Sequence, residues 1–271
     1  MKIFAIRDAT DSSLKNLAYL LYYESSKQFY IELPDNADPW ETPLLLDAFV
    51  QKGEHTVNSY WSRIWVQQRI VPSDRQNIGQ ILRDNKVKTY DEYALLTLSS
   101  GRCEQDDYYL VPIDEAHLPQ QLARRLSRKI ADIVPLQTYS LLTFFRDGTI
   151  RKCDLKERLA KDSRYAILLN RPDYFARVEV QTGGHGVQWD RNLSISDSEL
   201  YTMGERVPLS VDDFHTFASK RIINTAEATD ILNCSRQYVS ELVRTGKLHP
   251  VKVLEKNMLF LKSEVLRRNW Q

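Results

Sequence analysis

The chain has no apolar run long enough to cross a membrane. Its longest, LLLDAFV and YALLTL, fall far short of the roughly 20 residues a helical span requires. Cysteine is scarce as well. Cys103, Cys153 and Cys234 stand far apart, and so few, scattered thiols fit neither a disulfide framework nor a zinc site. The histidines (His55, His117, His185, His215, His249) are equally dispersed. No Ser-His-Asp or Cys-His arrangement and no phosphate-cradling glycine loop can be recognised. The opening stretch, MKIFAIRDATDSS, turns polar before an apolar signal core is built. These absences predict a cytoplasmic protein without membrane segment, metal or cofactor, and not an enzyme.

What is present is enough apolar material, 42% of 271 residues, to build more than one core. There is no repeat period and no low-complexity tract. A formal net charge of +1 hides an asymmetry. From Lys220 onward ten Lys and Arg face five Asp and Glu, a net of +5, which leaves −4 on the remainder. A basic tail on a mildly acidic body suits a polyanionic partner; it also fits a solvated charged face.

Residues 1–117 read as a mixed α and β domain. AYLLYYESSKQFYIEL gives two aromatic-rich strands with a turn at Glu24–Lys27. Four short helices are predicted next. The first starts at DPWE, with Asp38 as cap and Glu41 in capping-box position, and ends at Gly53. The second is NSYWSRIWVQQRI, stopped by Pro72. Ser73 with Gln76 starts the third, and Thr89 with Glu92 the fourth. Tyr60, Trp61 and Trp65 lie at helical spacing on the second helix. Their residue types can anchor a protein interface or fill a core. Asp106 and Asp107 read as a solvated turn before a strand. LPQQLARRLSRKIADIVP, residues 118–135, reads as a connecting helix. Leu122, Leu126 and Ile130 pack, and Arg124, Arg125, Arg128 and Lys129 form a basic, solvated face.

Strands restart at Tyr139. YSLLTFFRDGTIRKCDL is a hairpin with a tight type I′ turn at Asp147–Gly148. FARVEVQTGGHGVQWD is a second hairpin whose glycines, Gly183, Gly184 and Gly186, supply the turn. A short helix start follows at SISDSELYTMGE. The order of these elements, with Asp147, Gly148, Asp154, Leu155, Phe175, Val178, Val180, Trp189, Leu200 and Tyr201, resembles the DUF2442 family over about 139–204. That resemblance implies a small α+β domain, placed here at 136–208, with no established catalytic residues. Trp189 and Phe175 are expected in its core. Pro172, Asp173 and Glu179 faintly echo a metal-dependent nuclease pattern, but Gln181 stands where the lysine belongs. A turn and an exposed strand face describe the same residues.

The stretch INTAEATDILNCSRQYVSELVRTGKLHPVKV, inside a last domain at 215–271, carries the strongest signal. Asn224 and Glu227 form a capping box for one helix. Asn233 and Cys234 make a two-residue turn, Ser235 caps a second helix, and Gly246 ends it. Val239, Leu242 and Val243 point inward. An alternating segment after His249 reads as a hairpin, and KSEVLRRNW as a closing helix. Helix, tight turn, helix and wing form the layout of a winged helix-turn-helix. Asn224, Glu227, Thr229, Leu232, Ser235, Arg236, Val239, Gly246, Leu248 and Lys252 resemble the excisionase-type, MerR-like DNA-binding domain over about 223–270. The wing departs from the family's arginine-rich pattern, with Glu255, Lys256, Asn257 and Met258.

The whole is therefore expected to be a multidomain α+β protein that binds double-stranded DNA. Arg236 and Gln237 in the first turn of the second helix suit guanine and adenine edges, with Ser240 and Arg244 on the same outward face. Ser235, Lys247, Lys252 and Lys256 suit phosphates. Glu241 either accepts from a cytosine amine or repels DNA. A helix-turn-helix used only for protein packing has the same pattern. The expected function is a bacterial or phage transcriptional regulator that acts as a homodimer, or with a protein partner, through residues 1–208. The alternative is a protein-binding inhibitor or antitoxin that represses its own operon. A nuclease-like enzyme ranks last.

Overall fold

The computed structural model describes residues 1–255 and 257–269. Two compact units divide the chain: 1–147 with 153–204, and 148–152 with 205 onward. The protein is α+β, with helices beside several antiparallel sheets.

The first unit opens with strands β1 (Lys2–Asp8), β2 (Ala18–Tyr23) and β3 (Gln28–Glu32), then α1 (Asp47–Gln51), β4 (Thr56–Val57) and α2 (Ser59–Gln67). Helices α3 (Ile78–Asp84) and α4 (Glu92–Leu98), strand β5 (Tyr108–Ile113) and helix α5 (Gln120–Ser127) follow. The strands form one antiparallel sheet in the order β4-β3-β2-β1-β5. Side chains alternate across a strand, and here both faces are covered, so β1 to β3 are apolar almost throughout. Phe4, Ile6, Leu20 and Ile31 pack against Trp65 and Val66 of α2 and Leu96 of α4. Ile3, Ala5, Leu21 and Tyr30 face Leu122 and Leu126 of α5. The β2–β3 turn lies where the sequence puts it, with Lys27 at φ 54°.

Several predicted boundaries move. DPWE forms turns rather than a helix: Asp38 takes the Trp40 amide at 2.9 Å, and the helix waits until Asp47, beyond Pro43. Helix α4 is capped by Asp91, not Thr89. Asp91 accepts from the Ala94 amide at 2.9 Å, which leaves Glu92 free to hold Arg63. Helix α3 begins at Ile78, with no side-chain cap from Asn77, so the Ser73–Gln76 box does not form. The connecting helix expected over 118–135 is a correction too. Helix α5 stops at Ser127, and Ile130–Pro135 is a strand, β6, paired with β7 (Ser140–Phe145). Ile130 sits on the amphipathic period of α5, yet sheet pairing takes its backbone.

The rest of this unit comprises α6 (Lys156–Ala160), α7 (Ala166–Asn170), α8 (Pro172–Phe175), β9 (Glu179–Val180), β10 (Gly186–Gln188), β11 (Ser194–Ser196) and α9 (Asp197–Met203), preceded by β8 (Thr149–Asp154), which begins in the second unit. The three short strands run in the order β11-β10-β9. Phe175 and Trp189 are core residues as expected, and the Trp189 indole N–H donates to the Phe175 carbonyl at 2.8 Å. The Asp147–Gly148 turn is not type I′. Only Gly148 takes a positive φ, 80°, in a three-residue loop between β7 and β8, the geometry of a turn closed by a left-handed residue.

A buried charged cluster fixes the two halves of this unit to each other. The Lys129 ammonium lies 3.0 Å from Glu32 and 3.1 Å from Asp197, with Lys129 and Glu32 almost fully buried. Arg125 approaches Glu32 at 3.3 Å and also pairs with Asp35. Thr56 donates to Glu32 at 3.0 Å. The His185 ring stacks on Tyr30 with centroids 3.8 Å apart, and its Nε2 lies 2.9 Å from the Tyr23 hydroxyl. Burial, with Lys129 and Arg146 nearby, holds His185 well below its ordinary value, so the ring is neutral. Burial pushes Asp197 upward, and Lys129 opposes that shift. Lys129 and Arg125 were expected on a solvated face. Gly183 and Gly184 do more than turn the chain: a Cβ on Gly184 would stand 2.2 Å from the Ile130 carbonyl, and one on Gly183 2.2 Å from the Tyr23 ring.

In the second unit β8 pairs with β12 (Glu205–Ser210), and α10 (Val211–Arg221) follows. Then come β13 (Ile222–Asn224), α11 (Thr225–Leu232), α12 (Arg236–Arg244), β14 (Lys252–Leu254), β15 (Asn257–Leu261) and α13 (Lys262–Asn269). Their sheet has the order β13-β15-β14. Ile223, Ala228, Val239, Leu242, Leu248, Phe260 and Val265 form a core of their own.

Candidate nucleic-acid interface

Local signals build the C-terminal layout one residue at a time. Asn224 accepts from the Glu227 amide at 3.0 Å, and Glu227 returns the bond to the Asn224 amide at 2.9 Å, so both ends of the capping box are made. Asn233 ends α11 in the left-handed conformation at φ 47° and ψ 51°, which Asn tolerates better than most residues. Ser235 starts α12 by accepting from the Tyr238 amide at 3.2 Å. Gly246 ends it at φ 66°, and the Lys247 amide closes the cap on the Leu242 carbonyl at 2.8 Å. Thr225 ties the hairpin down. Its hydroxyl accepts from the Met258 amide at 3.1 Å. At the other end, Glu264 of α13 takes the His249 amide at 3.0 Å.

Val239 and Leu242 of α12 are buried, so the opposite face is open. Ser235, Arg236, Gln237, Ser240, Arg244, Lys247 and Lys252 are all exposed. At 100° per residue, Gln237, Glu241 and Arg244 lie opposite the buried stripe. Arg236 and Ser240 flank it on one side, Tyr238 on the other. Arg236 and Arg244 are about 12 Å apart along the axis. The centre of this face is electrically closed: Arg244 makes two hydrogen bonds to Glu241, at 2.9 and 2.6 Å. Ser240 spends its hydroxyl proton on the Arg236 carbonyl at 3.1 Å. The open donors therefore concentrate at the ends of the helix, with Arg236 and Gln237 in its first turn and Lys247 just past its last. Lys252 lies on β14, and Lys256 lies outside the described residues. Tyr238, 51% exposed in the first turn, is part of this surface and was missed. Its signal was available, as an aromatic one residue out of step with Val239 and Leu242.

With this geometry in place, the comparison with known families is specific. The helix-turn-helix domain family matches residues 222–268. The helix-turn-helix domain thus spans β13 to α13, with α12 in the position of its second helix. The crystal structure of NE0471 from Nitrosomonas europaea, a protein named only provisionally as DNA-binding, covers 47% of this chain and 79% of its own. Its identity is 24% and its TM-score 0.26, and at that score the likeness adds nothing to the fold. No curated protein matches the chain.

The aromatic trio on α2 separates. Tyr60 and Trp61 are 66% and 39% exposed, whereas Trp65 is buried in the first unit's core and cannot anchor a partner. Arg69, equally buried, stacks on the Trp65 ring at 3.7 Å and pairs with Asp106, which is therefore no simple solvated turn. Tyr60 and Trp61 line an open cleft of about 1340 Å³ with Tyr90, Arg63 and Arg191. Asp173 pairs with Arg171 at 3.1 Å, which lowers its carboxyl. Among the described residues no group of three His, Cys, Asp or Glu side chains could hold a metal ion, and no helix is long and apolar enough to cross a membrane.

Proposed function

We propose that the protein is a sequence-specific DNA-binding regulator whose second helix-turn-helix helix, α12, enters the major groove. One observation carries this reading. In a domain matched to the helix-turn-helix family, the first turn of α12 presents Ser235, Arg236 and Gln237 to solvent. Arg236 has the fork that suits guanine O6 and N7, and Gln237 the amide that suits adenine. Lys247 and Lys252 are exposed and can reach a phosphate, and the net +5 from Lys220 onward favours approach to a polyanion. The test is binding of the full chain to a library of random duplexes across a salt series. An enriched sequence, bound with an affinity that falls steeply with salt, is expected. No binding at low salt, or binding with no sequence preference, would end this proposal.

For the first unit we propose a non-catalytic partner-binding role. Its middle segment carries the DUF2442 resemblance, and the exposed pair Tyr60 and Trp61 at the cleft supports the second reading, an inhibitor or antitoxin that represses its own operon. The full chain should leave DNA, RNA and nucleotides intact with magnesium, manganese or zinc supplied. Turnover lost on changing Asp173 or Glu179 would restore the enzyme reading.

A further inference from the structure

We propose that Glu241 is a positioning residue: it holds the Arg244 guanidinium so that the outer edge of that group meets a guanine in the major groove. The role rests on the DNA-reading proposal, in which α12 enters the groove. An arginine carries five N–H donors in one fixed plane. Arg244 gives one from Nε and one from Nη2 to Glu241, at 2.9 and 2.6 Å. Three remain, two on Nη1 and one on Nη2, along the edge that points away from the carboxylate. That edge is itself a fork, of the shape that meets guanine O6 and N7. Cancelling the charge therefore leaves the recognition edge open.

The pair does little for stability. The Arg244 side chain is 74% exposed and that of Glu241 47%, and an exposed pair at this spacing contributes only a few tenths of what a buried one can. Glu241 also stands in the last turn of α12, where a carboxylate meets the negative end of the helix dipole, and on a face where it repels phosphates. Among the described residues its carboxylate has one partner, Arg244. What the bond supplies is order. An arginine left alone samples many rotamers, and fixing it before DNA arrives removes that cost from binding. Gln237, Glu241 and Arg244 share the outward face, with Arg244 about 10 Å beyond Gln237 along the axis. For a helix lying along the groove, at about 3.4 Å per base pair, the guanine stands about three base pairs from the base that Gln237 meets.

The test is the base-by-base preference of the full chain on its enriched duplex, with circular dichroism as the check on folding. Arg244→Lys keeps the charge and loses the fork. It should reduce the preference for guanine at one position about tenfold and leave the salt dependence unchanged. Glu241→Ala should split two properties. Every duplex should bind more tightly, with a steeper salt dependence, because a negative charge is gone and Arg244 is free to meet phosphate. Yet the preference at the same position should fall about threefold, because the arginine is no longer held. Added to Arg244→Lys, the same change should leave the profile as it is. Tighter binding with an unchanged profile would make Glu241 a repulsive charge only and overturn the proposal. So would a further loss of preference in the Arg244→Lys chain, since Glu241 would then read a base itself. A wild type with no preference ends the DNA-reading proposal as well, whereas a preference lost in Arg236→Ala but kept in Arg244→Lys ends this one alone.

Discussion

Charge is used in opposite ways in the two units. In the first, Glu32, Lys129 and Asp197 are shut away from water and bound to one another, and every charge is spent on holding β3, β6 and α9 in place. In the second, Arg236, Lys247 and Lys252 stand in solvent with no ion pair found among the described residues. A buried charge is expensive to strand, so its partners cannot change without loss of fold. An exposed one contributes little to stability and is available to a ligand. The same residue types are thus structural in one unit and open to a ligand in the other, and burial is what tells them apart.

The strongest way to break this comparison is at Lys129. Lys129→Met leaves Asp197 buried without its cation, and we expect a loss of about 3–5 kcal/mol of stability in denaturant melts. A loss below 1 kcal/mol would show that the cluster is wet. The corresponding change in the second unit should spare the fold. Arg236→Ala should cost about 1–3 kcal/mol of binding at the preferred site and relax its sequence preference. Lys252→Ala should weaken all sequences alike and reduce the salt slope by about 1. Identical sequence profiles for wild type and Arg236→Ala would remove the role given to that residue.

Acid should expose the buried set next. His185 is held neutral in the fold, with its value below that of the unfolded chain. Below about pH 6.5 the unfolded state therefore takes up a proton that the native state refuses. Stability should fall with pH, by about 1.4 kcal/mol per unit from this group alone. Asp197 acts in the opposite sense nearer pH 4, since its raised value makes the native state the better proton acceptor there. Melts of wild type and His185→Gln between pH 5 and 7.5 measure the difference, and parallel slopes would count against the cluster. The smallest effect belongs to Trp61→Ala, expected within about 0.5 kcal/mol on stability, as for other surface sites. Trp65→Ala, one helical turn away, should cost about 3–5 kcal/mol.

These contrasts also explain what could be read from the sequence. The second unit's layout is local. Asn224 with Glu227, Ser235 and Gly246 are signals that act within four residues, and each sits where the sequence puts it. The side-chain roles on α12 were only half legible, because Glu241 and Arg244 settle their charges between themselves and Tyr238 broke the expected stripe. In the first unit the decisive pairings are remote. Nothing near Lys129 announces Glu32, so a basic run looked like a solvated face. Nothing near Ile130 announces β7, so an amphipathic period ran on past the end of its helix. Trp65 could have been placed, since Ser62, Trp65, Val66 and Arg69 all fall on one buried face at spacings of three and four.

The lock around Glu32 has a consequence for the order in which the chain is made. Glu32 leaves the ribosome about 165 residues before Asp197, on the order of ten to thirty seconds earlier at about 5–20 residues per second. Through that interval Glu32 gains Thr56, then Arg125 and Lys129, but its set of neighbours is not complete. The N-terminal sheet can assemble and cover its α2 face, but on the opposite face Glu32 needs water until Lys129, His185 and Asp197 arrive. The first unit is therefore finished from its far end, and a chain that stalls near residue 120 holds a sheet with one face still open.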